Sequence, residues 1–143
     1  MHIDSNNIEI KFVENWPETD IIKLYKSANW WKDRYDPSSI KYLIKGSFKF
    51  AIVIDKSNNK TIGMGRILSD GVSDAYIQDL VILDEYRNIG LGAKLVKFLV
   101  NYCVSKGINW IGLISEPGQD GFYTSQGFKQ MEGYTPMKFN IDD

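Results

Sequence analysis

The stretch EYRNIGLGAKLV occupies residues 85–96, and its reading decides the fold. Gly90 and Gly92 follow Arg87 in an R-x-x-G-x-G pattern. Behind them, Leu91, Leu95, Phe98, Leu99 and Tyr102 form one apolar stripe, with Lys94, Lys97, Asn101 and Ser105 opposite, so the spacing predicts a helix that Gly107 ends. Ahead of them, DAYIQDLVILD (74–84) reads as a strand whose last part is apolar on both faces, as in a buried central strand. The glycines therefore join a buried strand to a helix start. Free N–H groups and the dipole at such a start attract a pyrophosphate. Glycine lets the backbone come close to it. The same two glycines would also serve a plain tight turn, and the motif alone leaves both readings open. Two nucleotide motifs are excluded. The dinucleotide fingerprint needs a third glycine where Leu95 stands. A phosphate loop of the Walker type needs a Gly-Lys-Ser/Thr end that is not present.

Working outward, IEIKFV (8–13) alternates as a strand does, and PETDIIKLYKSANWW (17–31) carries Ile21, Leu24, Tyr25 and Ala28 at helical spacing. DPSSIKYLIKGS (36–47) is a short second helix, with Pro37 near its start and Gly46 near its end. FKFAIVID (48–55) and TIGMGRILSDG (61–71) are strands joined by the polar turn KSNNK (56–60). Beyond the central helix, NWIGLIS (109–115) is a strand and GQDGFYTSQG (118–127) a short helix. FKQMEGYTPMKFNI (128–141) is expected to form one or two antiparallel strands. The order β-α-α-β-β-β-α-β-α-β gives a mixed α/β (α+β) domain. Its sheet is mostly antiparallel, with one strand–helix–strand crossover and helices on its faces.

With 143 residues, 43% of them hydrophobic, the chain is expected to form a single domain over 1–143 with one real core. A net charge of −1, with no long block of one sign, excludes a general nucleic-acid binder. The single cysteine, Cys103, excludes an internal disulfide and fits a reducing compartment. No apolar run reaches the roughly 18 residues of a membrane span, and MHIDSNNIEI lacks the parts of a signal peptide, so a cytoplasmic location is expected. His2 is the only histidine, which removes serine or cysteine hydrolysis and leaves no His/Cys cluster for a metal.

DLVILDEYRNIGLGAKLV (79–96), together with FYTSQGF (122–128), resembles the GNAT N-acetyltransferase superfamily. The specific part of the resemblance runs from about Asp79 to Phe128, and the strand order extends it over nearly the whole chain. It implies a sheet whose parallel strand pair is splayed, and acetyl-coenzyme A as the cofactor, with no metal. The pantetheine arm would pair with the backbone of Leu80, Val81 and Ile82. The pyrophosphate would lie on the amides of Arg87, Asn88, Ile89, Gly90, Leu91, Gly92 and Ala93, with a side-chain contact from Arg87. Tyr123 matches the family tyrosine that protonates the departing thiolate, the alternative being a tyrosine that only packs. Glu116 stands where many members carry asparagine, so an asparagine contact to the coenzyme is not expected. Homodimers are common in the family.

An alkyl amine has a pKa near ~10 and must lose a proton before it attacks. Asp79 is the first candidate to take it and Glu116 the second. Either could instead be a solvated or capping carboxylate. Trp30 and Trp31, with Arg34 and Tyr35, would line an acceptor site beside a carboxylate, although one tryptophan is expected to be core. Arg66 and Asp70 are placed at the same end, and Tyr134 and Met137 are further lining candidates. The functional expectation is acetyl transfer from acetyl-coenzyme A to a primary amine of a small molecule or a peptide, by direct attack in a ternary complex. The alternative is a non-catalytic acyl-coenzyme A sensor of the same fold.

Overall fold

A computed structural model describes residues 5–141. His2 and the opening tetrapeptide lie outside the described residues. The chain forms two compact units, one running to Leu113 and the other beginning at Ile114.

The first unit is built on a five-stranded sheet in the order β1-β2-β3-β4-β5. β1 (Ile8–Phe12), β2 (Lys49–Asp55), β3 (Lys60–Ser69) and β4 (Asp74–Ile82) pair antiparallel with their neighbours, and β5 (Trp110–Gly112) pairs parallel with β4. β2, β3 and β4 form a meander because the short polar segments 56–59 and 70–73 join them. Asp70 closes the β3–β4 turn by accepting from the Val72 and Ser73 amides, and Gly71 supplies a φ of +80°.

α1 (Glu18–Ser27) and α2 (Ile40–Gly46) lie between β1 and β2 in the chain, and α3 (Leu91–Ser105) links β4 to β5. α1 stops early because Asn29 is left-handed (φ +61°), so Trp30 and Trp31 fall on a loop. Asp36 starts the next segment by accepting from the Ser38 amide, giving a 3-10 turn over Pro37–Ser39 before α2.

The helices cover both faces of the sheet. A Cβ on Gly65 of β3 would touch Leu99 and Leu95 of α3. Its neighbour Arg66 points to the other face and shares Asp79 with Tyr25 of α1. Ile21 and Leu24 of α1, Ile52 and Met64 of the sheet, and Leu95 and Leu99 of α3 are each 0% exposed. Burying such side chains stabilises by about 1.5–3 kcal/mol apiece.

The β3–β4 ladder carries one irregularity. The β3–β4 register shifts between Met64 and Arg66, so Asp79 and Leu80 both stand opposite Gly65. Asp79 has a φ of +57°. This is a β-bulge, with an aspartate in the left-handed position.

The second unit contains α4 (Asp120–Ser125), flanked by Gly118 at φ +83° and Gly127 at φ +97°. Gly127 and Phe128 donate their amides back to Thr124 and Tyr123 and so satisfy the helix end.

Two expectations are corrected here. The strand expected over 109–115 is ordered as a strand only at Trp110–Gly112. Residues 128–141 form no strand. Gly133 turns the backbone at φ +81°, Tyr134 donates its amide back to Met131, and Pro136 has no amide to offer a ladder. Within this unit there is no strand for the segment to pair with, and a strand needs a partner for its backbone groups.

Candidate active site

β4 has one open side beyond its short pairing with β5. Leu83 donates its amide to Ile62 on β3 at 2.9 Å. Backbone groups alternate along a strand, so Val81 also faces β3 while Leu80 and Ile82 face away from it. The β4–β5 ladder stops at Tyr76 and Gly112. The Leu80 N–H and C=O and the Ile82 N–H therefore have no strand partner among the described residues. The Ile82 carbonyl accepts from Arg87 Nε at 3.0 Å.

The loop that follows is shaped by two left-handed residues, Asn88 at φ +65° and Gly90 at φ +86°. Gly90 is the N-cap of α3, and no side chain caps that helix. The first helical bond runs from the Lys94 amide to the Gly90 carbonyl. Helix geometry leaves the amides of Leu91, Gly92 and Ala93 without intrahelical acceptors. With left-handed turns at Asn88 and Gly90, successive N–H groups converge into an anion-binding concavity. Two contacts anchor the loop from behind. Tyr86 donates its hydroxyl to buried Asp55 at 2.7 Å, and Arg87 pairs with Asp84 at 3.1 Å. The Arg87 guanidinium thus folds back on its own loop through two of its five N–H groups. Asn88, Ile89 and Gly90 are exposed.

On the α1 face, Asp79 Oδ2 accepts from the Tyr25 hydroxyl at 2.7 Å and from Arg66 Nε at 2.7 Å. Arg66 also reaches Ser47 Oγ at 3.4 Å. Burial, and then the Asp79 carboxylate, push the Tyr25 phenol far above its ordinary pKa, so it stays a protonated donor. The Tyr25 ring lies 6.3 Å from Trp30 and 6.4 Å from Trp31, and Trp31 meets Tyr35 edge-on at 5.4 Å. Both tryptophans are half-buried, so neither is fully enclosed core. Arg34 lies beside the Tyr35 ring at 5.6 Å. The structure thus brings Asp79, Arg66, Trp30, Trp31 and Tyr35 together around Tyr25, a residue the sequence reading treated only as helix core. Its signal was slight: one hydroxyl on an otherwise aliphatic helix stripe.

Asp70 is not part of this group. It lies in the β3–β4 turn, at the end of β4 away from the glycine loop, and its carboxylate is committed to Val72 and Ser73. Tyr134 is exposed in the second unit, as is Met137.

Tyr123 sits on α4 with its ring edge-on to Phe122 at 5.0 Å and to Phe128 at 5.9 Å. Burial, with a smaller contribution from the Glu116 charge, raises its pKa. The phenol therefore remains protonated at neutral pH and has a proton to give. Glu116 lies in the exposed turn that leads into α4 and accepts the Gln119 amide at its carbonyl. Among the described residues, no three His, Cys, Asp or Glu side chains are placed to hold a metal ion, and no helix is long and apolar enough to cross a membrane.

A strand with an open side, a left-handed glycine loop and an uncapped helix define the class. Residues 17–139 match the acetyltransferase (GNAT) domain family, and the chain belongs to it. It is 28% identical over 138 residues to an N-acetyltransferase named ycf52 from Pyropia yezoensis, covering 94% of this chain and 78% of that protein. A ycf52-like N-acetyltransferase from Prochlorococcus marinus is 36% identical over 69 residues, covering 48% of this chain and 38% of that protein. A solved GNAT acetyltransferase from Streptococcus pneumoniae superposes with a TM-score of 0.78 at 25% identity, over 95% of this chain and 99% of that one. The mixed sheet with its parallel β4–β5 pair is the fold of that neighbour.

Proposed function

We propose that the chain transfers an acetyl group from acetyl-coenzyme A to a primary amine by direct attack within a ternary complex. The observation that carries this is the uncapped start of α3, preceded by left-handed Asn88 and Gly90, directly after the open side of β4. Anion-seeking amides next to unpaired strand groups suit a pyrophosphate joined to an amide-bearing arm.

Acetyl-coenzyme A supplies the activated acyl group. The amides from Asn88 to Ala93 hold its diphosphate; the Arg87 amide, expected to join them, is instead given to the Asp84 carbonyl in the turn that shapes the loop. Leu80 and Ile82 offer strand hydrogen bonds to the arm, and the Leu80 N–H polarises the acyl carbonyl. Tyr123 gives its proton to the leaving thiolate, a role that its protonated phenol supports, and the proton that the attacking nitrogen sheds goes to solvent. Cys103 is buried in α3 with its thiol pKa raised by burial, so it is no nucleophile and the transfer needs no covalent enzyme intermediate. The aromatic group of Trp30, Trp31 and Tyr35 suits an amine that carries an apolar or aromatic body. The cytoplasmic reading belongs to the same proposal and rests on the single buried cysteine.

Calorimetric titration with acetyl-coenzyme A, against dephospho-coenzyme A and NAD, tests the coenzyme. Micromolar binding of acetyl-coenzyme A alone is expected. A panel of an arylalkylamine, a polyamine and a lysine peptide then tests turnover. Binding with no turnover on any amine would favour the acyl-coenzyme A sensor. No binding by folded protein would return the glycine loop to a plain turn.

A further inference from the structure

We propose that Asp79 is a positioning residue, held by Tyr25 and Arg66 so that the β4 bulge keeps the Leu80 amide on the open side of the sheet. On this reading Asp79 does not take the proton of the amine. The inference rests on the acetyl-coenzyme A function proposed above.

The bulge and the clamp coincide at one residue. Asp79 is the residue of β4 with left-handed backbone, and with Leu80 it makes two residues opposite the single Gly65. Without the extra residue, the ladder before and after it would run in one register. A one-residue shift turns every following group to the other side. The Leu80 N–H would then face β3, and the Leu80 side chain would leave the face where it lies near Gly65, Leu95 and Leu99. What the sheet offers at its open side is therefore decided by whether Asp79 stays looped out.

Three elements converge to keep it there. Tyr25 comes from α1, Arg66 from β3, and Ser47 steadies Arg66 from the end of α2. Tyr25 is 6% exposed, and the Arg66 and Asp79 side chains are 16% and 23% exposed, so solvent screening of the pair is limited. Both short bonds fall on the same oxygen, Oδ2. That oxygen is thus committed to donors on α1 and β3 at once, an arrangement that suits a fixed anchor.

The test compares Asp79→Asn with Arg66→Gln and Tyr25→Phe, two variants that leave the carboxylate in place. Thermal unfolding first establishes that each is folded, and Tyr25→Phe, which removes one hydroxyl, keeps the test open where Asp79→Asn does not fold. In ligand-free protein, all three are expected to speed hydrogen exchange of the Val81 and Leu83 amides by about tenfold or more. On an amine that the wild type turns over, all three lower kcat by a similar factor while KM for acetyl-coenzyme A stays within about twofold. The acid limb of the pH–rate profile survives in Asp79→Asn. The proposal is overturned if Arg66→Gln and Tyr25→Phe keep full kcat while Asp79→Asn alone abolishes turnover with loss of that limb. Unchanged amide exchange in all three overturns it as well. Failure of the wild type to bind acetyl-coenzyme A would instead sink the function, while the exchange measurement still decides the clamp.

Discussion

Replacing Gly90 by alanine separates the backbone cost of the loop from its role in binding, because α3 carries a matched control at its other end. Gly90 has φ +86° and Gly107 has φ +80°, and a Cβ built on either meets nothing within 4 Å. Neither substitution creates a clash, so each costs only the left-handed penalty of an L-residue, about 1–2 kcal/mol. For a chain of this length that lowers Tm by roughly 3–6 °C, and the two variants are expected to match in a scanning calorimeter. They differ in what relaxation does. Easing the strain at Gly90 rotates peptide units whose amides begin α3, whereas at Gly107 it moves only the chain leaving the helix. Losing one charge-assisted N–H to phosphate bond costs about 1.5–3 kcal/mol, or roughly 10- to 100-fold in Kd. Titration with acetyl-coenzyme A is therefore expected to weaken by that factor in Gly90→Ala and to stay within about twofold in Gly107→Ala. Equal weakening in both, or none in Gly90→Ala despite its full loss of Tm, would refute the reasoning.

Four further outcomes follow from particular contacts. Tyr123→Phe is expected to lower kcat by about 100-fold or more with little change in coenzyme affinity; a variant with full kcat removes the acid assignment. Because burial and the Glu116 charge raise the Tyr123 pKa, the alkaline limb of the wild-type rate profile should lie above the ordinary phenol value near ~10, and Glu116→Gln should move it slightly down. Asp70 is held at about 2 by the Ser73 hydroxyl and amide and the Val72 amide. Its folded value is depressed, so its contribution is complete above the unfolded value of 3.8 and fades as pH falls toward 2. Asp70→Asn should thus be less stable than wild type at pH 7 and equal to it near pH 2, and a gap that ignores pH would contradict this. A Cβ at Gly63 would lie 2.6 Å from Ile82 Cδ1 and 2.9 Å from the Val81 carbonyl, whereas at Gly65 its nearest neighbour is Leu99 Cδ1 at 3.1 Å. Gly63→Ala is expected to cost about 1–3 kcal/mol and Gly65→Ala less, because a flexible side-chain tip gives way and a strand carbonyl does not. Urea unfolding of the pair ranks them, and the reverse order would show that β4 shifts freely.

Much of the architecture could be read along the chain. The helical stripe from Leu91 to Tyr102, the turn at 56–60 and the strands on either side of it are local features, set by periods of 3.6 and 2 and by turn chemistry. The glycine loop was legible for the same reason, since a left-handed residue at a helix start calls for glycine. The C-terminal strand was misread because strand-like apolar residues at 137, 139 and 141 say nothing about whether a partner strand exists. Asp70 was placed near Arg66 because the two lie close in sequence, yet each side chain is committed to its own partners.

The amino-acid sequence by itself determined the strand–loop–helix unit from Asp74 to Ser105, and with it the family, because every signal in that unit lies within a few residues of the next. Only the tertiary structure decided the bulge at Asp79 and the clamp that holds it. The apolar run LVIL carries no mark of which residue is looped out, since register is a property of two strands and not of one. Tyr25 and Asp79 are 54 positions apart, and their hydrogen bond exists only because α1 folds over the same face of the sheet that Arg66 and the bulged aspartate share.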